Sequence, residues 1–346
     1  MSHRHALAHC TTQDFGLESG ARLPQLTTAY ASLGQLNAAR SNAVLVLHGY
    51  TTGPSMLWAG SNAAEGSWSG LIGPGRAIDT DRFFVICPNA LGSSYGSTGP
   101  ASINPASGKA YGIDFPRTTI GDMVEAQRVL IDSLGIDRLA AVAGPSMGSF
   151  QAFEWGVRFP ERVDRVVAAV GAPFSPLGAD MAERVLAVLS ADAGWNGGRY
   201  TQASMINCLI KMRVDTLFRY GIDADLAPAY PDAAARGAEI ERLAREWAIE
   251  FDAGALVSLA HACAKFDARP RLSALRAPLL YVNSRSDTVF SSALAQEQAP
   301  LFDACGVNWS YFEIDSDKGH LASGADSALW ADVLASFMNT PPRAAS

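Results

Sequence analysis

Short, continuously apolar runs recur along the chain: Ala43-Val44-Leu45-Val46-Leu47, Phe83-Phe84-Val85-Ile86-Cys87, Leu139-Ala140-Ala141-Val142-Ala143, the stretch from Val163 to Val170, and Pro278-Leu279-Leu280-Tyr281-Val282. Runs this short and without polar alternation read as strands buried on both faces, as in parallel sheets covered by helices. Thr27 to Tyr30 and Trp309 to Ile314 open and close the series. Between the strands the period becomes helical. Met123, Gln127, Leu130 and Leu134 follow a Thr119/Asp122 capping signal and stop at Gly135. A second helix starts at Ser146 and stops at Pro160, and Ala325, Leu329, Val333 and Phe337 predict a last helix over 325–338. The expected fold is an α/β body with a mostly parallel sheet.

From about Pro176 to Pro270 the pattern changes. Beta-branched runs thin out, and Ala, Leu, Arg and Glu take helical spacings, as in Glu239 to Glu250. The sheet resumes at Pro278, so this part is expected to be an inserted helical lid over 176–270, dividing a core of residues 1–175 and 271–346. Met205, Ile206, Leu209, Ile210 and Met212 read as packing within it.

Composition narrows the function. With 27 Lys and Arg against 34 Asp and Glu, the net charge is −7 and no basic cluster offers a nucleic-acid face. No run has membrane-spanning length, and the first residues lack a secretory apolar segment. The five cysteines are widely spaced, as expected of reduced thiols in a cytoplasmic protein. His3, His5 and His9 read as terminal residues, no metal site has ligand spacing, and no cofactor is implied.

The chemistry centres on Gly144-Pro145-Ser146-Met147-Gly148, a G-x-S-x-G between a strand and a helix. Glycine is needed on either side because a side chain at 144 or 148 would strike the neighbouring strand and helix. The turn exposes the Ser146 hydroxyl, and the first amides of the helix point at what it attacks. A serine needs an adjacent base oriented by a carboxylate. Asp287 follows the strand at 278–282, and His320 is the one histidine after the last strand, which makes them the carboxylate and the base. Asp315 and Asp317 are alternative carboxylates, and His48 is an alternative base with a structural role expected at its strand end. The loop His48-Gly49-Tyr50-Thr51-Thr52-Gly53 leaves a central strand, so the amide of Tyr50 is expected to join that of Met147 as the oxyanion hole. The long loop Pro88 to Arg117 is expected to be functional.

Several stretches resemble the homoserine O-acetyltransferase family of α/β-hydrolase-fold proteins: residues 70–81, Val85-Ile86-Cys87-Pro88-Asn89, residues 95–105, Asp114-Phe115-Pro116, the elbow with Gln151-Ala152-Phe153-Glu154-Trp155, and Ser286-Asp287. The resemblance implies an α/β-hydrolase fold with an inserted lid, a Ser146–His320–Asp287 triad, an acyl-serine intermediate and a homodimer through the lid. It also implies where substrate is held, and there the chain departs. The family's aspartate after the triad histidine is Leu321, and the lid arginine for the substrate carboxylate aligns with Leu186, beside Arg184. Glu250-Phe251-Asp252-Ala253-Gly254 and Pro145 are further departures.

An ammonium group in a closed pocket without a carboxylate partner costs several kcal/mol. With both anchors replaced by leucines, water becomes the acceptor, and the sequence predicts a hydrolase of small uncharged carboxylic esters. The alternative is an O-acyltransferase that moves acetyl from acetyl-CoA, as co-substrate, to homoserine or another alcohol, with Arg199, Lys211, Arg213 and Arg219 as candidates for the CoA phosphates. A non-catalytic binding protein would show a broken triad, and this one is complete.

Overall fold

A computed structural model describes residues 6–60 and 67–341. Eight strands form one sheet: β1 (Ala8–Gly16), β2 (Arg22–Leu33), β3 (Ala43–Val46), β4 (Phe84–Pro88), β5 (Ala141–Pro145), β6 (Val166–Ala169), β7 (Leu279–Ser284) and β8 (Trp309–Ile314). Their spatial order is β1-β2-β4-β3-β5-β6-β7-β8. β1 and β2 pair antiparallel, as do β2 and β4, and the other neighbours are parallel. The strands after β3 go to one side of it and then the other. Open α/β sheets bind ligands at such a reversal, off the carboxyl ends of the strands.

The apolar runs fill two cores. Leu45, Val142, Val166, Leu279 and Tyr281 face one side with α1 (Ile120–Ser133) and α2 (Met147–Arg158). Val44, Val46, Ala143, Val167 and Leu280 face the other, with Trp68 and Trp330 in edge contact at 5.6 Å. Thr119 and Asp122 form the expected capping box on α1, with Asp122 N donating to Thr119 Oγ1 and Thr119 N to Asp122 Oδ2.

Between β6 and β7 lie five helices: α3 (Met181–Ser190), α4 (Gln202–Tyr220), α5 (Ile222–Leu226), α6 (Ala233–Glu250) and α7 (Ala253–Ala264). They leave and return through one neck, where Phe174 bridges Asp267, Ser175 N donates to Phe266 O, and Ala268 N donates to Pro173 O. α8 (Ser292–Ala304) follows β7, and the chain closes with α9 (Ala322–Ala325) and α10 (Ala331–Asn339).

Three expectations change. β1 and the first half of β2 form an antiparallel hairpin whose buried residues, Phe15, Leu23 and Leu26, are set among polar ones and make no apolar run. The last helix is two helices, because a separate turn, Ser327–Leu329, intervenes. Its buried stripe is Trp330, Leu334 and Met338, one residue on from the predicted one, and Leu329 is exposed. His3 and His5 lie outside the described residues, and His9 is on β1. All five cysteines are free. Among the described residues no helix is long and apolar enough to cross a membrane.

Candidate active site

β5 runs straight into Ser146, whose backbone is held at φ +55° and ψ −123°, a conformation costly for a side chain. Ser146 N donates to Ala169 O on β6, so the strained residue is still tied to the sheet. The two glycines are required by one atom. A Cβ on Gly144 would stand 2.5 Å from the Leu47 carbonyl oxygen, and one on Gly148 2.1 Å from it. The elbow is therefore packed against the end of β3, with Ser146 aimed into a cavity of about 390 Å³.

Asp287 and His320 leave the ends of β7 and β8 and meet. His320 Nδ1 lies 2.8 Å from Asp287 Oδ2, and both side chains are fully buried. Asp287 Oδ1 accepts from the amides of Val289 and Phe290, so the carboxylate has backbone donors on one oxygen and the imidazole on the other. An anionic Asp287 makes Nδ1 the protonated nitrogen and leaves the Nε2 lone pair for proton transfer. The His320 ring stacks on Phe290 at 5.6 Å and contacts Tyr220 at 4.5 Å. Phe290 and Tyr220 line the same cavity as Ser146.

His48 takes no part in this group. Its Nδ1 hydrogen-bonds Gly49 O at 2.8 Å, and its Nε2 accepts from Ala90 N at 2.9 Å. Both nitrogens are committed, and burial lowers its pKa to about 4 against the opposing bond to Gly49. Asp315 and Asp317 pair with Arg285 at the surface.

Tyr50 and Met147 both line the cavity. Met147 opens α2, and neither its amide nor that of Tyr50 meets an acceptor among the described residues. The Tyr50 hydroxyl donates to Leu256 O on α7, which fastens this loop beneath the lid. Cys263 is a further lining residue. Burial pushes its thiol up to about 12, so it stays protonated and does not compete as a nucleophile.

The substrate positions expected from the sequence are elsewhere. Helix α3 presents Met181, Arg184, Val185 and Val188 to the cavity, one stripe at helical spacing. Leu186 points away from that stripe and packs on the core, on the side of Ala182 and Leu189, where α3 meets α7. Leu321 is buried in the main core and does not line the cavity. What does line it is Arg213 of α4, only 1% exposed. Its Nη1 donates to Thr51 Oγ1 at 2.7 Å, and its guanidinium carbon lies 4.9 Å from the Trp247 ring centroid. In the sequence Arg213 was one of four lid cations with nothing to mark it. Of the other three, Arg219 lines the cavity, and Arg199 and Lys211 are exposed away from it. Met212, expected as packing, also lines it.

Comparison with known proteins shows the family. The α/β hydrolase fold family model matches residues 42–324. A homoserine O-acetyltransferase of Moorella thermoacetica is 37% identical over 94% of both chains. The chain belongs to the homoserine O-acetyltransferase family of α/β hydrolases. Among solved structures, esterase E22 superposes with a TM-score of 0.85 at 26% identity, over 96% of this chain and 100% of that one. The homoserine O-acetyltransferase of Bacillus anthracis gives 0.84 at 26% identity, over 97% and 98%. The part of this α/β hydrolase that matches the family model holds Tyr50, Ser146 and Arg213 of the cavity wall together with the Asp287–His320 pair.

Proposed function

We propose that this protein is a serine-dependent O-acyltransferase that moves acetyl from acetyl-CoA to the hydroxyl of homoserine or a closely related alcohol bearing a carboxylate. The observation that carries this reading is Arg213, a buried guanidinium in the wall of the cavity that contains Ser146. Arginine offers a planar fork of donors that matches a carboxylate. An anchored acceptor has the high effective concentration it needs to outcompete water for an acyl-enzyme. The names of the curated relatives support the same reading.

In the first half-reaction His320 Nε2 takes the Ser146 proton as Oγ attacks the thioester carbonyl. The amides of Tyr50 and Met147 stabilise the oxyanion, and His320 returns the proton to the departing CoA thiolate. In the second half, the acceptor hydroxyl gives its proton to His320 and attacks the acyl-serine, and Ser146 leaves reprotonated. Asp287 keeps His320 in the required tautomer throughout. Asp215, which also lines the cavity, supplies a carboxylate for the acceptor's ammonium group.

Hydrolysis of small uncharged esters is the second reading, with water in place of the alcohol. It draws support from Leu321, an apolar residue directly after the base, and from the likeness to esterase E22. Both readings require Ser146. The experiment is Ser146→Ala assayed with p-nitrophenyl acetate and with acetyl-CoA plus L-homoserine: retained turnover in either assay overturns the acyl-serine mechanism.

A further inference from the structure

The lid rests on the loop that carries His320. Helix α4 ends at Tyr220, Gly221 turns the chain at φ +97°, and α5 begins at Ile222. A Cβ at position 221 would stand 2.6 Å from Lys318 O and 3.2 Å from Gly319 N, so glycine is what allows the lid backbone to lie directly on residues 318–319. From the other side, a Cβ on Gly319 would meet Tyr220 O at 3.1 Å.

One ion pair crosses this contact. Lys318 Nζ is 3.1 Å from Asp225 Oδ1 on α5 and 2.8 Å from Asp326 Oδ1 on its own side. Asp326 Oδ2 accepts from Ser316 Oγ, which itself accepts from Lys318 N. Burial works against the Lys318 ammonium, but its hydrogen bonds to Asp326 and Asp225 outweigh that and raise its pKa. The three side chains are about three-quarters covered, which spares them much of the screening that empties surface ion pairs of effect.

The contact matters for His320 because of how the imidazole is held. Asp287 fixes its Nδ1 edge, and Phe290, from the loop after β7, supports the ring by stacking. Tyr220 supports it from the lid. That support is only as well placed as the α4–α5 corner.

We infer that Lys318 is a positioning residue: by bridging Asp225 to Asp326 it holds the α4–α5 corner of the lid on the His320 loop, so that Tyr220 keeps the imidazole of the base in line with Ser146. This rests on the reading of Ser146 and His320 as nucleophile and base.

The test uses the full chain with Lys318→Met, Lys318→Arg, Asp225→Ala and Asp326→Ala, following p-nitrophenyl acetate turnover and the rate at which a fluorophosphonate labels Ser146. Lys318→Met and Asp225→Ala are expected to lower kcat and labelling about tenfold, with KM changed less than about twofold, because a reacting group is misplaced while binding is kept. Lys318→Arg restores most of the rate, and the Lys318→Met/Asp225→Ala double variant is no slower than either single. Asp225 is outside the loop, so its variant reads the lid contact even if Lys318→Met fails to fold. Asp326→Ala, which removes the other end of the bridge, is expected to lose rate as well, and Asp225→Ala at the wild-type rate overturns the inference. A wild-type chain that takes no label overturns the Ser146 reading itself, whereas equal labelling of wild type and Lys318→Met overturns only the role of Lys318.

Discussion

Arg213 of the lid donates to Thr51 of the loop after β3, at 2.7 Å, so the guanidinium is held at the cavity wall by the same loop that presents the Tyr50 amide. On the proposed reading, acceptor binding and oxyanion stabilisation would be built from adjoining residues. Replacing Arg213 by Met should lower kcat/KM for acyl transfer to L-homoserine by about 10- to 100-fold, the value of a charged hydrogen bond. Release of p-nitrophenol from the acetate ester should change far less. Arg213→Lys should recover little of the loss, since a point charge does not reproduce the fork. Steady-state kinetics with the two substrates side by side check this.

Asp287→Asn should leave the far-ultraviolet circular dichroism unchanged and lower kcat on p-nitrophenyl acetate by roughly 10⁴-fold. The amide still accepts from Val289 and Phe290 through its oxygen, which turns its NH₂ toward His320 and favours the tautomer with the proton on Nε2. Near-normal turnover would remove Asp287 from the mechanism.

Two glycines should respond oppositely to alanine. At Gly148 the added methyl would stand 2.1 Å from Leu47 O, a backbone atom that cannot swing away, and the variant should lose about 1–3 kcal/mol or more. At Gly237, an exposed position of α6, nothing lies within 4 Å, and alanine should add about 0.5–1 kcal/mol. Urea unfolding of the two variants measures both signs.

His48 gives the fold a defined acid sensitivity. Its pKa is about 4 when folded, against an ordinary 6.5 when unfolded. Below 6.5 the unfolded chain therefore binds a proton that the folded one refuses. This contribution is level above pH 6.5 and destabilises progressively as the pH falls toward 4, by about 3 kcal/mol in all. Ring-proton NMR should show His48 neutral down to about pH 4. A midpoint near 6.5 would mean that the ring is not locked between Gly49 and Ala90.

The buried strands, the elbow and the order of nucleophile, carboxylate and base are legible in the sequence because each rests on local rules: apolar runs, glycines at fixed spacing, and residues just past strand ends. The β1–β2 hairpin is not, since its buried Phe15, Leu23 and Leu26 are interspersed with polar residues and form no continuous apolar run. Nor is the cavity wall. Leu186 aligns with a charged position, but the rotation of α3 turns it into the core and presents Arg184 and Val185 instead. Arg213 is recognisable only by burial against Thr51 and Trp247, two contacts made across 162 and 34 residues of chain. Lid packing decides which side chains reach the cavity, and no local spacing encodes it.

The most direct test of the central claim supplies acetyl-CoA, then p-nitrophenyl acetate, each with and without L-homoserine, and follows total acyl release together with O-acetylhomoserine by mass spectrometry. The account predicts that homoserine captures the acyl group, so that acetylhomoserine appears at the expense of free acetate. Rapid ester hydrolysis that homoserine neither diverts nor alters would contradict it and identify water as the acceptor.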